Sequence, residues 1–244
     1  MSPSIPPATQ NEWPQKGLWP YLVPPIAASI AILPAFKDLV AKSAEQKGLV
    51  VPHMSFREIL VGGLRMAPTT GLIVSSQIFL QSVIEKALIK DKDKASLPLT
   101  IASSAIVGVF STPILAIFNG QTMGWSFQKS LQRSSPMVLL AIAVQETAFV
   151  SSLSATENLI PLVKDKVGNT KVFKYTTAFI TGALSSLVSH PANTAVTRWQ
   201  NDLEVTSLRQ SMWGAMRKAR AIGVFAVVYK LGKETLYSTT ESSK

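Results

Sequence analysis

Apolar residues divide the chain into six blocks separated by short polar stretches. The blocks cover residues 21–40, 59–84, 97–118, 136–153, 173–196 and 212–229. Each is close to the ~20 residues that a helix needs to cross ~30 Å of hydrocarbon. Several contain Ser, Thr, Gly or Pro, which are common in packed membrane bundles. The pattern predicts an all-α membrane protein with six transmembrane helices, and short charged loops between the blocks disfavour the alternative, a buried soluble core.

Three prolines recur at a nearly constant spacing, late in the odd-numbered blocks. Pro113 follows Pro34 by 79 positions, and Pro191 follows Pro113 by 78. Recurrence at a fixed period indicates repeated supersecondary units, so we predict three tandem two-helix repeats. Because a proline inside a helix removes one backbone hydrogen bond and crowds the preceding turn, we expect three kinked helices. Such helices fit a closed barrel that narrows at one end.

Small residues precede these prolines at matched positions, nine and five residues upstream. They are Ser104 and Gly108 in the second copy and Gly182 and Ser186 in the third, with Pro25 and Ser29 in the first. Small residues four positions apart let a neighbouring helix approach closely. We therefore predict that these residues contribute to helix packing.

The repeat sets the expected domain boundaries. They are a polar Pro/Trp arm at 1–18, repeats at 19–95, 96–168 and 169–238, and a polar tail at 239–244.

Composition agrees with a membrane protein and narrows the partners. Only 16% of the residues are charged, against about 25% in soluble domains. The net charge of +10 is also typical of nucleic-acid binders, but the basic residues lie between the apolar blocks, where cations meet lipid headgroups. We expect a lipid bilayer, including cardiolipin, as a partner and no nucleic acid.

Catalytic and metal-binding motifs are missing from the sequence. It holds no cysteine, no phosphate-binding glycine loop, no nucleophile–base set and no metal-ligand spacing. We therefore expect no enzyme activity, no cofactor and no metal. The fourth block does contain Gln145 and Glu146, and a carboxylate inside a span is a candidate functional group because it is costly to bury. Alternatively, Glu146 bonds to a neighbouring helix or pairs with an arginine.

The end of the fifth block resembles the signature of the mitochondrial carrier family, Pro-x-acid-x-x-base-x-base-x-Gln. Pro191, Arg198 and Gln200 match this signature, whereas Asn193 replaces the acid and Val196 the first base. The resemblance implies a six-helix bundle with pseudo-threefold symmetry in the mitochondrial inner membrane. It also implies a short surface helix after the third block, for which residues 126–132 are the candidate.

The same resemblance places ionic gates at positions where this chain has none. Carriers close their matrix side with one acid–base pair per repeat. The corresponding positions here hold Phe36 and Leu39, Leu115 and Phe118, and Asn193 and Val196. Lys37 and Asp38 are adjacent and so point about 100° apart on a helix; we expect them to snorkel at a membrane edge.

The family also has substrate contacts on its even-numbered helices. Counting back about three turns from Phe79, Phe149 and Tyr229, which correspond to the close of the family's even helices, reaches residues 67–68, 137–138 and Lys218, with Arg65 nearby. The possible cavity residues are therefore Arg65, Gln145, Glu146 and Lys218. An anionic substrate would need a cluster of cations, which these positions do not supply.

Two functions remain open from the sequence. The first is a carrier-like protein that no longer transports and serves as an accessory subunit, with other membrane-complex subunits as partners. The second is a divergent carrier that exchanges a small-molecule substrate by alternating access through a polar gate. Its gate would use Ser111, Thr112, Asn119, Gln121, Asn193, Thr197 and Gln200.

Overall fold

The protein is helical throughout the part of the chain that the computed structural model describes, residues 19–88, 97–149 and 170–242. The helices are α1 (Trp19–Gln46), α2 (Phe56–Leu88), α3 (Leu97–Thr122), α4 (Phe127–Gln132), α5 (Pro136–Phe149), α6 (Lys171–Val188), α7 (His190–Gln200), α8 (Leu208–Ser211) and α9 (Ala215–Ser242). No strand occurs within these ranges, so the prediction of an all-α fold is confirmed. The predicted arm at 1–18 lies outside the described residues.

The helices follow the apolar blocks but extend beyond several of them. Helix α1 runs past residue 40 to Gln46, and α9 runs through most of the predicted tail to Ser242. The expected short helix after the third block is α4, which begins after Ser126; the side chain of Ser126 caps it by accepting a hydrogen bond from the Lys129 amide (3.3 Å). The sequence did not indicate α8.

Three helices of the described chain are both long and apolar enough to cross a membrane. The stretches are Tyr21–Gln46, Phe56–Leu80 and Ala105–Thr122. Helix α5 is apolar but shorter over its described length. The fifth block is divided between α6 and α7, and the start of α9 is rich in Lys and Arg, so these helices do not meet the same requirement. Three spans therefore rest on length and apolarity, and the six-span topology stays a prediction.

The long helices pack in a ring. Helix α1 packs against α2 on one side and α9 on the other, α2 packs against α3, and α6 packs against α9. The short helix α7 closes the ring by contacting both α6 and α3. One apolar cluster, containing Ile32, Met66 and Ala221, joins α1, α2 and α9. A second, containing Ile142 and Val196, joins α3, α5 and α7. The first and last long helices are thus neighbours.

Close helix approaches occur at the small residues within each two-helix unit. A Cβ atom on Gly108 would lie 3.1 Å from Cβ of Glu146 in α5, and one on Gly182 would lie 3.1 Å from Cβ of Ala226 in α9. In the first unit, the Ser29 hydroxyl donates to a backbone carbonyl of α2 (2.9 Å).

The other two packing candidates contribute less to these contacts. Ser186 is buried and bonds within its own helix, to the carbonyl of Ala183 (2.9 Å). The side chain of Ser104 lies outside the described part of the structure.

The three prolines affect their helices differently. Pro34 and Pro113 lie inside the continuous helices α1 and α3, with their rings exposed. At the third copy the helix is interrupted at Ser189, and Pro191 lies in the first turn of α7. A proline in the first turn costs no hydrogen bond because its missing N–H would have had no partner there. In place of one kinked helix, the third copy therefore has two helices, α6 and α7, that meet at Ser189.

Candidate functional site

The C-terminal ends of α1, α3 and α7 meet inside the bundle through positions at matched distances from Pro34, Pro113 and Pro191. Nine residues after the proline of each copy stand Ser43, Thr122 and Gln200. The hydroxyls of Ser43 and Thr122, 79 positions apart, are 2.7 Å from each other. Six residues after the proline, Asn119 and Thr197 bond over 3.4 Å at a separation of 78 positions. Residues at the same distance from these prolines are therefore in direct contact.

Lys42 is the cation at this meeting point, and the sequence analysis missed it. Its side chain is 2% exposed, and its ammonium donates to Oδ1 of Asn119 (3.4 Å) and Oδ1 of Asn193 (3.1 Å). Asn193 holds the position that the carrier signature gives to an acid, so a neutral amide accepts the hydrogen bond here. A helix predicted to end at residue 40 left Lys42 in a loop.

Gln46, the last residue of α1, connects α1 to α7 with both ends of its amide. Nε2 donates to Oδ1 of Asn193 (3.1 Å) and to the hydroxyl of Thr194 (2.9 Å). Oε1 accepts from the hydroxyl of Thr197 (2.7 Å). Because Gln46 is fully buried, these bonds replace the water that its amide would otherwise hold.

Gln200 makes the corresponding connection between α7 and α3. Oε1 accepts from Nδ2 of Asn119 (2.6 Å), and Nε2 donates to the backbone carbonyl of Ala116 (3.2 Å). We call the buried set that joins the three helix ends the polar junction. Its members are Lys42, Ser43, Gln46, Asn119, Thr122, Asn193, Thr194, Thr197 and Gln200.

The polar junction includes only part of the gate predicted for a divergent carrier. Asn119, Asn193, Thr197 and Gln200 belong to it. Thr112 instead bonds to a carbonyl of its own helix (2.8 Å). The buried atoms Ser111 Oγ and Gln121 Oε1 have no hydrogen-bond partner within the part of the chain that the structure describes.

Arg198 holds the outer side of the junction by bonding to backbone carbonyls. Its Nε donates to the carbonyl of Glu204 (2.7 Å), and one terminal nitrogen donates to the carbonyl of Gln46 (2.8 Å). The guanidinium also lies 5.9 Å from the ring centre of Trp213, a cation–π distance. The carbonyl of Gln46 is one of those that a helix C-terminus leaves without an intrahelical partner.

A second polar group extends the junction towards α5. Nδ2 of Asn193 donates to Oε1 of Gln145 (2.8 Å), and Nε2 of Gln145 donates to Oε1 of Glu146 (3.0 Å). Glu146 is 8% exposed and within electrostatic reach of Lys218 in α9. Three of the four possible cavity residues are thus near one another, with Glu146 and Lys218 buried and Gln145 partly buried.

Lys218 and His190 contact the chain around the α6–α7 break. The Lys218 ammonium donates to the hydroxyl of Ser189 (3.1 Å). Nε2 of His190 lies 2.8 Å from the carbonyl oxygen of Trp213, and its Nδ1 is buried with no hydrogen-bond partner in residues 19–88, 97–149 and 170–242. The fourth cavity candidate, Arg65, is exposed on α2, so the structure does not bring it to this group.

Comparison with known proteins found no relative from which a function could be assigned. The chain matches no protein-family model, no curated protein and no solved structure. Within the described residues, no three His, Asp or Glu side chains are grouped closely enough to hold a metal ion. The candidate site is therefore the polar junction together with Gln145, Glu146 and Lys218 beside it.

Two ion pairs join α1 to α9 beside the junction. Asp38 pairs with Arg220, with Nε to Oδ2 at 2.6 Å, and Glu45 pairs with Arg217. The prediction that Asp38 snorkels at a membrane edge was wrong, because Asp38 is buried against α9, whereas its neighbour Lys37 is exposed. The two ion pairs fix the ring where its ends meet.

Proposed function

We propose that the chain is a mitochondrial-carrier-like protein of the inner membrane that has lost solute exchange and serves as an accessory subunit of a larger membrane assembly. The observation that carries this proposal is the composition of the polar junction. Where a carrier would need acid–base pairs that form and break, α1, α3 and α7 are joined by amides, hydroxyls and one lysine.

The junction is costly to open. Its bonds include fixed backbone carbonyls, those of Ala116 and of Gln46 among them. Each buried donor or acceptor left without a partner costs about 1–3 kcal/mol. An ionic gate can be balanced against substrate binding, but the Lys42 ammonium has no carboxylate among its recorded hydrogen-bond partners. A junction of this kind favours one closed state.

The carrier-like fold within this proposal is supported by the repeat contacts. Ser43 and Thr122, and Asn119 and Thr197, meet at separations of 79 and 78 positions, the same separations as the prolines. A bundle in which equivalent residues meet at one end has the internal symmetry expected of three tandem copies.

The apolar surface supports a bilayer location. Large apolar side chains are exposed on α1, α2, α3, α5 and α6, far beyond the patches normal for a soluble monomer. They include Tyr21, Leu22, Ile26, Ile30, Leu64, Leu72, Val109, Phe110, Leu140, Val144, Ile180 and Leu184. Such a surface is satisfied by lipid tails or by neighbouring membrane subunits.

The native size of the protein tests the proposal. We expect the chain, extracted from its own membrane in mild detergent, to migrate in a large assembly at fixed stoichiometry with identified partners. Migration only as a particle near its own 26.4 kDa plus detergent would contradict an accessory-subunit role. A membrane complex of known composition, extracted in parallel, is the control that shows that the detergent preserves assemblies.

A divergent solute carrier is the second candidate, and buried hydroxyls without partners favour it. Thr181 Oγ1 and Ser185 Oγ on α6, together with Ser111 Oγ on α3, are buried and have no hydrogen-bond partner among the described residues. A polar solute or water would satisfy them. The test is uptake of neutral and weakly charged metabolites into liposomes holding the purified chain. Uptake that falls on replacing Glu146→Gln, while the chain stays folded, would favour this candidate.

A further inference from the structure

One chain of hydrogen bonds runs from the polar junction to Glu146, and all its donors point the same way. The Lys42 ammonium donates to Oδ1 of Asn193 (3.1 Å), and Nδ2 of Asn193 donates to Oε1 of Gln145 (2.8 Å). Nε2 of Gln145 then donates to Oε1 of Glu146 (3.0 Å). The chain begins at a cation and ends at a carboxylate, with two amides between them.

We propose that Lys42, Asn193, Gln145 and Glu146 act as a single amide-bridged ion pair that couples α5 to the joined ends of α1 and α7. An amide accepts at its oxygen and donates at its nitrogen, so it passes polarisation from one neighbour to the next. In a buried site of low dielectric, successive hydrogen bonds polarise and strengthen one another. The charges at the two ends therefore stabilise the same orientation of both amides.

The bridge links all three copies of the repeat. Lys42 belongs to the first, Gln145 and Glu146 to the second, and Asn193 to the third. Loss of either terminal charge removes one of the interactions that orient the two amides, and so weakens the junction from a distance. The bond from Nε2 of Gln46 to Oδ1 of Asn193 (3.1 Å) also holds the Asn193 amide. The device thus makes closure of the helix ends depend on the charge of Glu146. This inference goes beyond the proposed function and is independent of it, because the coupling is a property of the closed state.

Other charges near the bridge must be separated from this effect. Lys218 acts directly on Glu146 and also repels Lys42, and Lys47 adds to that repulsion. A coupling measured between positions 42 and 146 is therefore informative only when the bridge can be broken without removing a charge. Gln145→Met does this, because methionine has a similar length and no amide.

The test is a double-mutant cycle on the full chain in mixed micelles, with the unfolding equilibrium constant as the readout. The variants are Lys42→Met, Glu146→Gln and their combination. Glu146→Gln keeps a carbonyl acceptor while removing the charge. If the bridge couples the two charges, the two single substitutions should not act independently. The unfolding equilibrium constant of the double variant should then be about threefold or more smaller than the value obtained by multiplying the two single effects. Repeating the cycle with Gln145→Met should remove that excess.

Two results would overturn the proposal. Effects that multiply to within about twofold would show that the two charges are independent. A coupling that persists undiminished in the Gln145→Met chain would show that it passes through space or through Lys218. Should the Lys42→Met chain fail to accumulate, Lys42→Gln, which retains N–H donors, completes the same cycle with the same criteria.

Discussion

At the scale of single residues, Arg198 connects two backbone segments that are far apart in the sequence. Its guanidinium reaches the carbonyls of Gln46 and Glu204 and the face of Trp213. The carrier resemblance predicted that Arg198 matters as a base of the signature. In the structure its recorded hydrogen-bond acceptors are backbone carbonyls, because the end of α1 and the loop after α7 both turn their oxygens towards it.

Replacing Arg198→Ala should destabilise the protein. Hydrogen bonds from a charged donor contribute about 1.5–3 kcal/mol each, so we expect the free energy of unfolding to fall by at least about 2 kcal/mol. Denaturant titration of the purified chain in micelles measures this free energy of unfolding. Arg209→Ala, at an exposed position on α8, is the control and should leave stability nearly unchanged. Equal stability of both variants would contradict the structural role of Arg198.

Gly214 lies where the backbone of α1 passes close to the start of α9. Its φ is +78°, and a Cβ atom there would lie 3.0 Å from the backbone oxygen of Lys42. Gly124 has a matching φ of +79° with nothing within 4 Å of an added Cβ. Comparing substitutions at these two glycines therefore separates two effects on stability: the left-handed backbone conformation, which both share, and the crowding of Lys42, which only Gly214 has.

Alanine at these two glycines should therefore have unequal effects. Gly124→Ala should cost roughly 1–2 kcal/mol, the penalty for a left-handed L-residue. Gly214→Ala should cost at least about 1 kcal/mol more, because it also overpacks the contact with α1. Thermal unfolding of the two purified chains gives the comparison. A Gly214→Ala chain as stable as the Gly124→Ala chain would show that α9 does not approach Lys42 this closely.

At the scale of helices, the apolar blocks predicted the existence of each long helix better than its ends. Helix α1 was cut short because Lys42, Ser43 and Gln46 look like loop residues in sequence. They are polar yet buried, since their partners come from α3 and α7, about 80–150 positions away in the chain. Local periodicity carries no signal for such partners.

The α6–α7 break gives a prediction at this scale. With Pro191→Leu, the helix can continue through Ser189, which would rotate Asn193 and Arg198 away from their partners. We expect a loss of at least about 2 kcal/mol in the free energy of unfolding, since several buried hydrogen bonds are worth about 1 kcal/mol each.

Pro113→Leu is the matched control for this variant. Pro113 lies exposed inside the continuous helix α3, where a proline costs about 3 kcal/mol, so its removal should be neutral or stabilising. If both variants changed stability in the same direction and by the same amount, the break at Ser189 would have no role in placing α7.

At the scale of the whole molecule, the ring is joined at two levels. The pairs Asp38–Arg220 and Glu45–Arg217 hold α1 to α9, and the polar junction holds α1 to α3 and α7. The spacing of the prolines predicted repeated helical units, and the carrier-like signature identified Asn193, Arg198 and Gln200 as candidate residues. Lys42 and the direction of its hydrogen bonds could not be identified from the sequence, because only the packed structure decides which amide accepts from which donor.

The central claim is that the helix ends stay joined in the native membrane, and cysteine cross-linking tests it most directly. The chain contains no cysteine, so Ser43→Cys with Thr122→Cys introduces the only pair, at positions whose hydroxyls are 2.7 Å apart. Each single variant is the control and should give no intramolecular cross-link.

The measurement is the extent of cross-linking under mild oxidation in native membranes, with and without added metabolites. The account predicts nearly complete cross-linking that no metabolite changes, no labelling of either cysteine by a water-soluble thiol reagent before oxidation, and unaltered assembly afterwards. Slow or metabolite-dependent cross-linking, with labelling of both cysteines, would show that the helix ends separate during function, and would contradict the account.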